Sequence, residues 1–150
     1  MTVDVRPAGD TAEVQAAIAI RRAVFIDEQG IAEHEELDGR DGEALHLLAI
    51  DPQGAIVGTC RLLAAGEKIK LGRMAVLPSA RRRGVALALL RDAEQHAAAL
   101  GGRRVVLGAQ TYAVGLYEQA GYAVTSGTFL DAGVEHVWME KRLSDPAEAS

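Results

Sequence analysis

The chain holds 150 residues, 49% of them apolar and 25% charged, with a net charge of −5. That length makes one domain, able to bury roughly two thirds of the surface its unfolded chain exposes, and the acid excess argues against general nucleic-acid binding, which needs a surplus of Lys and Arg. No apolar stretch reaches membrane-spanning length and no apolar signal core follows Asp4 and Arg6. The lone Cys60 excludes an intramolecular disulfide and a thiolate metal cluster, so a cytoplasmic protein with no metal is expected.

Thr2 to Arg6 alternates, with Val3 and Val5 on one face, and Pro7 ends it, which predicts a short first strand. Asp10 or Thr11 caps a helix whose apolar positions include Val14, Ala17, Ile18, Ala23, Val24 and Phe25, and which runs to about Gln29 before Gly30 stops it. Residues 31–43 form a long acidic connection, rich in Glu and Asp, with His34, Gly39 and Gly42. Connections of that length in a small domain are often functional, the alternative being a solvated loop. Ala44 to Ile50 and Ala55 to Leu63 read as a hairpin around Asp51-Pro52-Gln53-Gly54. A third strand of this group covers Ile69 to Leu77, and Pro78-Ser79 breaks it.

A helix follows from about Arg82 to Leu100, with Val85, Leu89, Ala93, Ala97 and Leu100 toward the core and Gly101-Gly102 at its end. Arg104 to Ala109 reads as a central strand covered on both faces. A helix from about Tyr112 to Ala120 and strands over Tyr122 to Thr128 and Glu135 to Arg142 complete the domain, residues 1–143. Residues 144–150 read as a frayed tail. The order is β-α-β-β-β-α-β-α-β-β, an α/β (α+β) class with a mixed central sheet of about seven strands flanked by helices.

Arg81-Arg82-Arg83-Gly84-Val85-Ala86 lies between the strand ending at Leu77 and the long helix. A helix N-terminus carries about half a positive charge and presents unpaired N–H groups, so such a turn favours a phosphate. Gly84 lets the backbone approach a ligand closely. Three arginines at this end are unfavourable unless an anion offsets them. A solvated basic helix start is the alternative. A P-loop nucleotide site is not expected, because Gly-x-x-x-x-Gly-Lys-(Ser/Thr) is absent.

Arg81-x-x-Gly84-x-Ala86 resembles the pyrophosphate loop of the GNAT superfamily of N-acetyltransferases, (Gln/Arg)-x-x-Gly-x-(Gly/Ala), and it follows a strand ending Met74-Ala75-Val76-Leu77-Pro78 as that family requires. Gln110-x-x-Ala113-x-x-Leu116-Tyr117 with Gly121-Tyr122 resembles the family's Asn-x-x-Ala-x-x-Leu-Tyr…Gly-Phe motif. Arg21 to Gly30, Glu36-Leu37-Asp38-Gly39-x-Asp41 and Phe129-x-Asp131-x-Gly133-x-x-His136-x-x-Met139 resemble a bacterial subfamily of small acetyltransferases. The Val-Phe-x-x-Glu-Gln piece is faintly similar to acyl-homoserine-lactone synthases, which share the fold but are longer.

The resemblance implies acetyl-coenzyme A as acyl donor, a small-molecule or peptide amine as acceptor, and a possible homodimer. It places backbone groups of Met74 and Val76 along the pantetheine arm and the amides of Arg82, Arg83, Gly84, Val85, Ala86 and Leu87 around the pyrophosphate. Arg81 and Arg83 are implied side-chain contacts. Arg82 either joins them or faces solvent beside Arg91 or Asp92. Gln110 stands where the family often has Asn, and contacts either the pantetheine arm or the acceptor. Tyr117 is implied as general acid for the leaving thiolate; read alone it could equally be a core aromatic. Many relatives carry a Glu at the position of Lys70. Base work is therefore expected from Glu28, His46, the acidic loop or water, with His136 sharing the ambiguity of His46. Arg73 is expected to pair with Glu28, the alternative being that it holds an acidic group of the acceptor, and Cys60 to be a buried, inert thiol. The rival reading is a non-catalytic acyl-coenzyme A binding module.

Overall fold

A computed structural model describes residues 2–144. The elements are β1 (Asp4–Pro7), α1 (Thr11–Arg21), α2 (Glu33–Glu36), β2 (Leu45–Ile50), β3 (Ile56–Ala65), β4 (Lys68–Val76), α3 (Val85–Ala99), β5 (Arg104–Gln110), α4 (Val114–Gln119), β6 (Ala123–Val124), β7 (Phe129–Asp131) and β8 (Val134–Arg142). All eight strands join one sheet in the order β1-β2-β3-β4-β5-β8-β6, with β7 paired to β8. The expected seven strands become eight because the run from Tyr122 to Thr128 keeps only Ala123–Val124 as strand, while Phe129–Asp131 folds back on β8. The tail expected over residues 144–150 lies, past Ser144, outside the described residues. Among the described residues, no helix is long and apolar enough to cross a membrane.

Neighbouring strands are antiparallel except β4 and β5, which run parallel. That pair is joined only over Lys68–Leu71 and Arg104–Leu107. Beyond Leu71 and Leu107 the two strands part, and both continue, to Val76 and to Gln110. The gap between their C-terminal ends is where a parallel sheet accepts a ligand. A bulge sharpens the divergence. Thr59 faces Ala75 and Arg61 faces Gly72, so β4 carries one residue more than β3 here, and Arg73 adopts a left-handed φ of 53°.

α3 packs the sheet's inner face. Val85, Leu89, Leu90, Ala93 and Ala97 are buried against Leu47, Leu62, Ile69, Leu71, Val105 and Leu107. Each such leucine contributes roughly 1.5–3 kcal/mol over exposure. Leu100 departs from the expected stripe: it lies past the last helical turn and is exposed. On the other face α1, capped by Asp10 accepting from the Glu13 amide at 2.8 Å, covers β2 and β3. β2 is thus covered on both sides, and Leu47, Leu48 and Ala49 are all buried. The helix expected to reach Gln29 changes pitch: after Arg21 it continues as a wider π-type turn over Arg22–Glu28. Such turns often mark functional sites.

Candidate active site

The parting of β4 and β5 opens a cleft of about 900 Å³. Met74, Val76, Arg81, Arg82, Gly84, Val85, Ala86, Leu87, Gln110 and Tyr117 line it together, so most of the residues singled out from sequence meet in one place. Arg83 is exposed and is not among the lining residues, and neither are Glu28 and His46.

The basic turn has the form an anion cradle needs. Gly84 caps α3 with a φ of 81°, a left-handed conformation, and a Cβ built there meets nothing within 4 Å, so the requirement for glycine is conformational. The first helical bond runs from the Ala88 amide to the Gly84 carbonyl at 3.0 Å. The amides of Val85, Ala86 and Leu87 therefore have no partner inside the helix. Arg82, also left-handed with a φ of 61°, is exposed on this rim. It does not pair with Asp92, which lies 3.2 Å from His96 instead.

Arg81 is committed within the protein. Its Nε donates to the Val76 carbonyl at 2.9 Å, and its two terminal nitrogens donate to the two oxygens of Glu28 at 2.7 and 2.5 Å. This fork ties the π-type turn to the end of β4. The expected Arg73–Glu28 pair does not form. Arg81 takes Glu28, while Arg73 lies 2.7 Å through Nε from Glu36 Oε2, out of line for a directed hydrogen bond, and donates to the Glu36 carbonyl at 3.0 Å. Glu28 is a poor base on this geometry: the Arg81 guanidinium holds its carboxyl below the usual range, and it stands outside the cleft.

The acidic connection is exposed along most of its length but anchored through the buried Glu36. Glu36 is 2% exposed and Arg21 1%, with Arg21 Nε donating to Glu36 at 2.6 Å and its Nη1 to Asp41 at 2.6 Å. Arg61 reaches from β3 to Asp38 and, at 2.9 Å, to Asp41. Three arginines and three carboxylates thus balance here, with Arg21, Glu36 and Arg61 buried and the others partly exposed. The Arg61 hydrogen bond holds the Asp38 carboxyl well below its normal range. Burial works to raise Asp41, but Arg21 and Arg61 outweigh it and leave it lowered. His46 belongs to this layer. Its Nε2 lies 2.9 Å from the Asp41 carbonyl and its Nδ1 is buried with no partner among the described residues, so the structure does not bring it to the cleft.

Tyr117 is 6% exposed, and Tyr122 meets it edge-on at 6.1 Å. Burial, with smaller effects of Cys60 and Tyr112, pushes its phenol above the ordinary tyrosine range, so the group stays protonated. Cys60 is buried, and desolvation with the nearby Asp92 pushes its thiol up to about 12. It is inert as a nucleophile. Gln110 Nε2 donates to Gln29 Oε1 at 2.9 Å, bridging the end of β5 to the turn after Arg22–Glu28.

Four side chains of the cleft were not read from sequence as a group. Phe129 stacks on His136 at 5.8 Å and on Trp138 at 5.2 Å, and Lys70 Nζ lies 5.5 Å from the Trp138 ring centre. Alternation along β8 carries the missing signal. Val137 and Met139 are buried, which sends His136 and Trp138 to the opposite face. His136 Nδ1 lies 2.7 Å from the Val134 carbonyl, which only accepts, so Nδ1 is the donor and Nε2 is the nitrogen left for a ligand. Among the described residues, no group of three His, Cys, Asp or Glu could hold a metal.

Comparison with known proteins agrees with this geometry. Residues 11–143 match the model of the acetyltransferase (GNAT) domain. The uncharacterized N-acetyltransferase YjcF of Bacillus subtilis is 36% identical over 130 residues, covering 86% of this chain and 92% of that one. The crystal structure of an acyl-CoA N-acyltransferase from Pseudomonas aeruginosa superposes with a TM-score of 0.80 at 26% identity, covering 93% of this chain and 99% of that one. An aminoglycoside 6'-N-acetyltransferase complexed with coenzyme A shares the fold, with a TM-score of 0.74 at 17% identity, over 97% of this chain and 98% of that one. With a mixed sheet parted between β4 and β5, a glycine-capped basic turn at its rim and the domain model matched almost end to end, this chain belongs to the GNAT acetyltransferase family.

Proposed function

We propose that the protein transfers an acetyl group from acetyl-coenzyme A to a primary amine by direct attack in a ternary complex. The observation that carries this reading is that one cleft is lined both by the glycine-capped start of α3 and by the protonated Tyr117. The free amides of Val85, Ala86 and Leu87, with the helix dipole behind them, receive the pyrophosphate. Arg82 is the guanidinium available on that rim, because Arg81 is spent on Glu28 and Val76. Arg83, outside the lining, contributes only to the field. Main-chain groups of Met74 and Val76 flank the pantetheine arm, and Gln110, held by Gln29, closes the end of β5.

The chemistry then needs one acid and one base. The amine nitrogen attacks the thioester carbon and the carbon–sulfur bond breaks. Tyr117 gives its phenolic proton to the departing sulfur. The proton lost by the nitrogen goes to Nε2 of His136, the one imidazole of the expected pair that lines the cleft. Cys60, buried with its thiol raised, fits the absence of an acyl-enzyme step.

Titration calorimetry with coenzyme A should give a one-to-one complex, and acetyl-coenzyme A with a mixed panel of amines should release free thiol above the enzyme-free rate. Binding without thiol release for any amine would reduce the protein to a binding module. Absence of binding would refute the cleft itself.

A further inference from the structure

Resting on that reading, the chemistry of the acceptor can be narrowed from the charges that face it. The sheet face beyond the parting of β4 and β5 has an open floor. Gly72 stands where the two strands separate, and a Cβ there would meet nothing within 4 Å. The wall on the β8 side is the stacked set of Phe129, His136 and Trp138. Among the charged groups lining the cleft, which include Glu35, Asp131 and Arg73, Lys70 is exposed on β4 with its ammonium 5.5 Å from the Trp138 ring centre.

Lys70 differs from the other cations of the neighbourhood. Arg21, Arg61 and Arg73 are each neutralised by carboxylates of the buried layer. Lys70 has no ion-pair partner among the described residues. Partial desolvation, then repulsion from Arg61, Arg73 and Arg40, push its ammonium below the usual lysine range, while Asp131 pulls the other way without pairing. Among the described residues, then, a protein with an acid excess leaves Lys70 without an ion pair beside the Phe129, His136 and Trp138 wall, at a position where a carboxylate would attract a cationic acceptor and a lysine repels one.

We propose that the acceptor is an amine that also carries an anionic group, which Lys70 receives while the amine points to His136. Spacing sets a length for the molecule. Trp138, under the ammonium, and His136 are two residues apart on one face of β8, about 7 Å along a strand. The amine and the anion are thus separated by a chain of several bonds, as in an ω-amino acid or an ω-aminoalkyl phosphate, rather than by the single carbon of an α-amino acid. The aliphatic middle of such a molecule crosses the Trp138 and Phe129 rings.

The test compares matched pairs on the protein loaded with coenzyme A: an ω-amino acid against its carboxamide, and an ω-aminoalkyl phosphate against the corresponding amino alcohol. Calorimetry reads binding, and thiol release from acetyl-coenzyme A reads turnover. The anionic member of at least one pair should bind about tenfold or more tightly in the native protein. Lys70→Met should collapse that ratio toward one, and Lys70→Glu should shift preference to a diamine. The carboxylate and phosphate arms tell which anion is preferred. Equal or weaker binding of both anionic members, or a ratio untouched by Lys70→Met, would overturn the assignment of Lys70. Turnover of neutral amines in that event would leave the acetyltransferase reading standing. Binding of the anionic amine without any turnover would do the reverse.

Discussion

Tyr117 lines the cleft while Tyr122 meets its ring edge-on at 6.1 Å. Replacing Tyr117 by Phe preserves that packing and removes the one group positioned to protonate a leaving thiolate. We expect Tyr117→Phe to lower kcat about a hundredfold or more, the usual value of a positioned acid, with coenzyme A affinity by calorimetry within about twofold. A kcat near that of the native protein would remove Tyr117 from the chemistry. The raised phenol adds a condition on pH. The group remains protonated past the ordinary tyrosine value of about 10, so it produces no fall in kcat below that pH. Tyr117 was legible in the sequence because a tyrosine at fixed spacing from Gly121 is a motif. The partners of Arg73 and Arg81 were not. Each could choose among many carboxylates, and the choice between Glu28 and Glu36 depends on the π-type turn that carries Glu28 toward Arg81 and away from Arg73.

The segment from Arg22 to Glu43 supplies one wall of the cleft, and the ion pairs of Arg21 and Glu36 anchor it. Arg21 and Glu36 face each other at 2.6 Å with almost no exposure. Removing one partner strands the other in a medium that cannot solvate it, so Arg21→Met should cost about 3 to 5 kcal/mol in urea unfolding at neutral pH. Arg21→Met with Glu36→Met should recover part of that loss. Acid should narrow the gap between the native protein and Arg21→Met. Asp41, bonded to Arg21, has a folded value below the unfolded one near about 3.9, so its contribution is complete above that pH and is lost as pH falls through the lower folded value. A gap that stays constant from neutral pH down to about 2 would show that the Arg21–Asp41 pair does not hold the segment. Sequence patterning gave the acidity of this stretch but not its burial, because a run of Glu and Asp looks the same in solvent and against three arginines. His46 was misplaced for a related reason: alternation along β2 says which residues share a face, not that helices cover both faces.

At the scale of the whole molecule the sheet is two wings joined at a narrow waist. β1 to β4 form one and β5 to β8 the other, and only the pairing of Lys68–Leu71 with Arg104–Leu107 links them in the ladder. α3 spans the joint from its inner side. A mixed sheet was readable in outline, since helices interleave with the strands. The extent of the parting was not, because it is set by the bulge at Arg73, where an arginine takes a left-handed φ of 53° that no local rule assigns to it. A ligand filling the gap touches both wings, so it should stabilise the molecule as a unit. At a hundredfold excess over its Kd, coenzyme A should add about 2.7 kcal/mol, which for a chain of this size raises Tm by roughly 5 to 10 °C. Amide exchange should locate the effect. Protection should rise at Met74 to Val76, at Gly108 to Gln110 and at the first turn of α3, the strand and helix ends that border the parting. The four residue pairs at the waist should change little, since they are bonded already. A rise in Tm without protection on both wings would place the ligand elsewhere, and no rise at saturating coenzyme A would leave the parted strands without the function assigned to them.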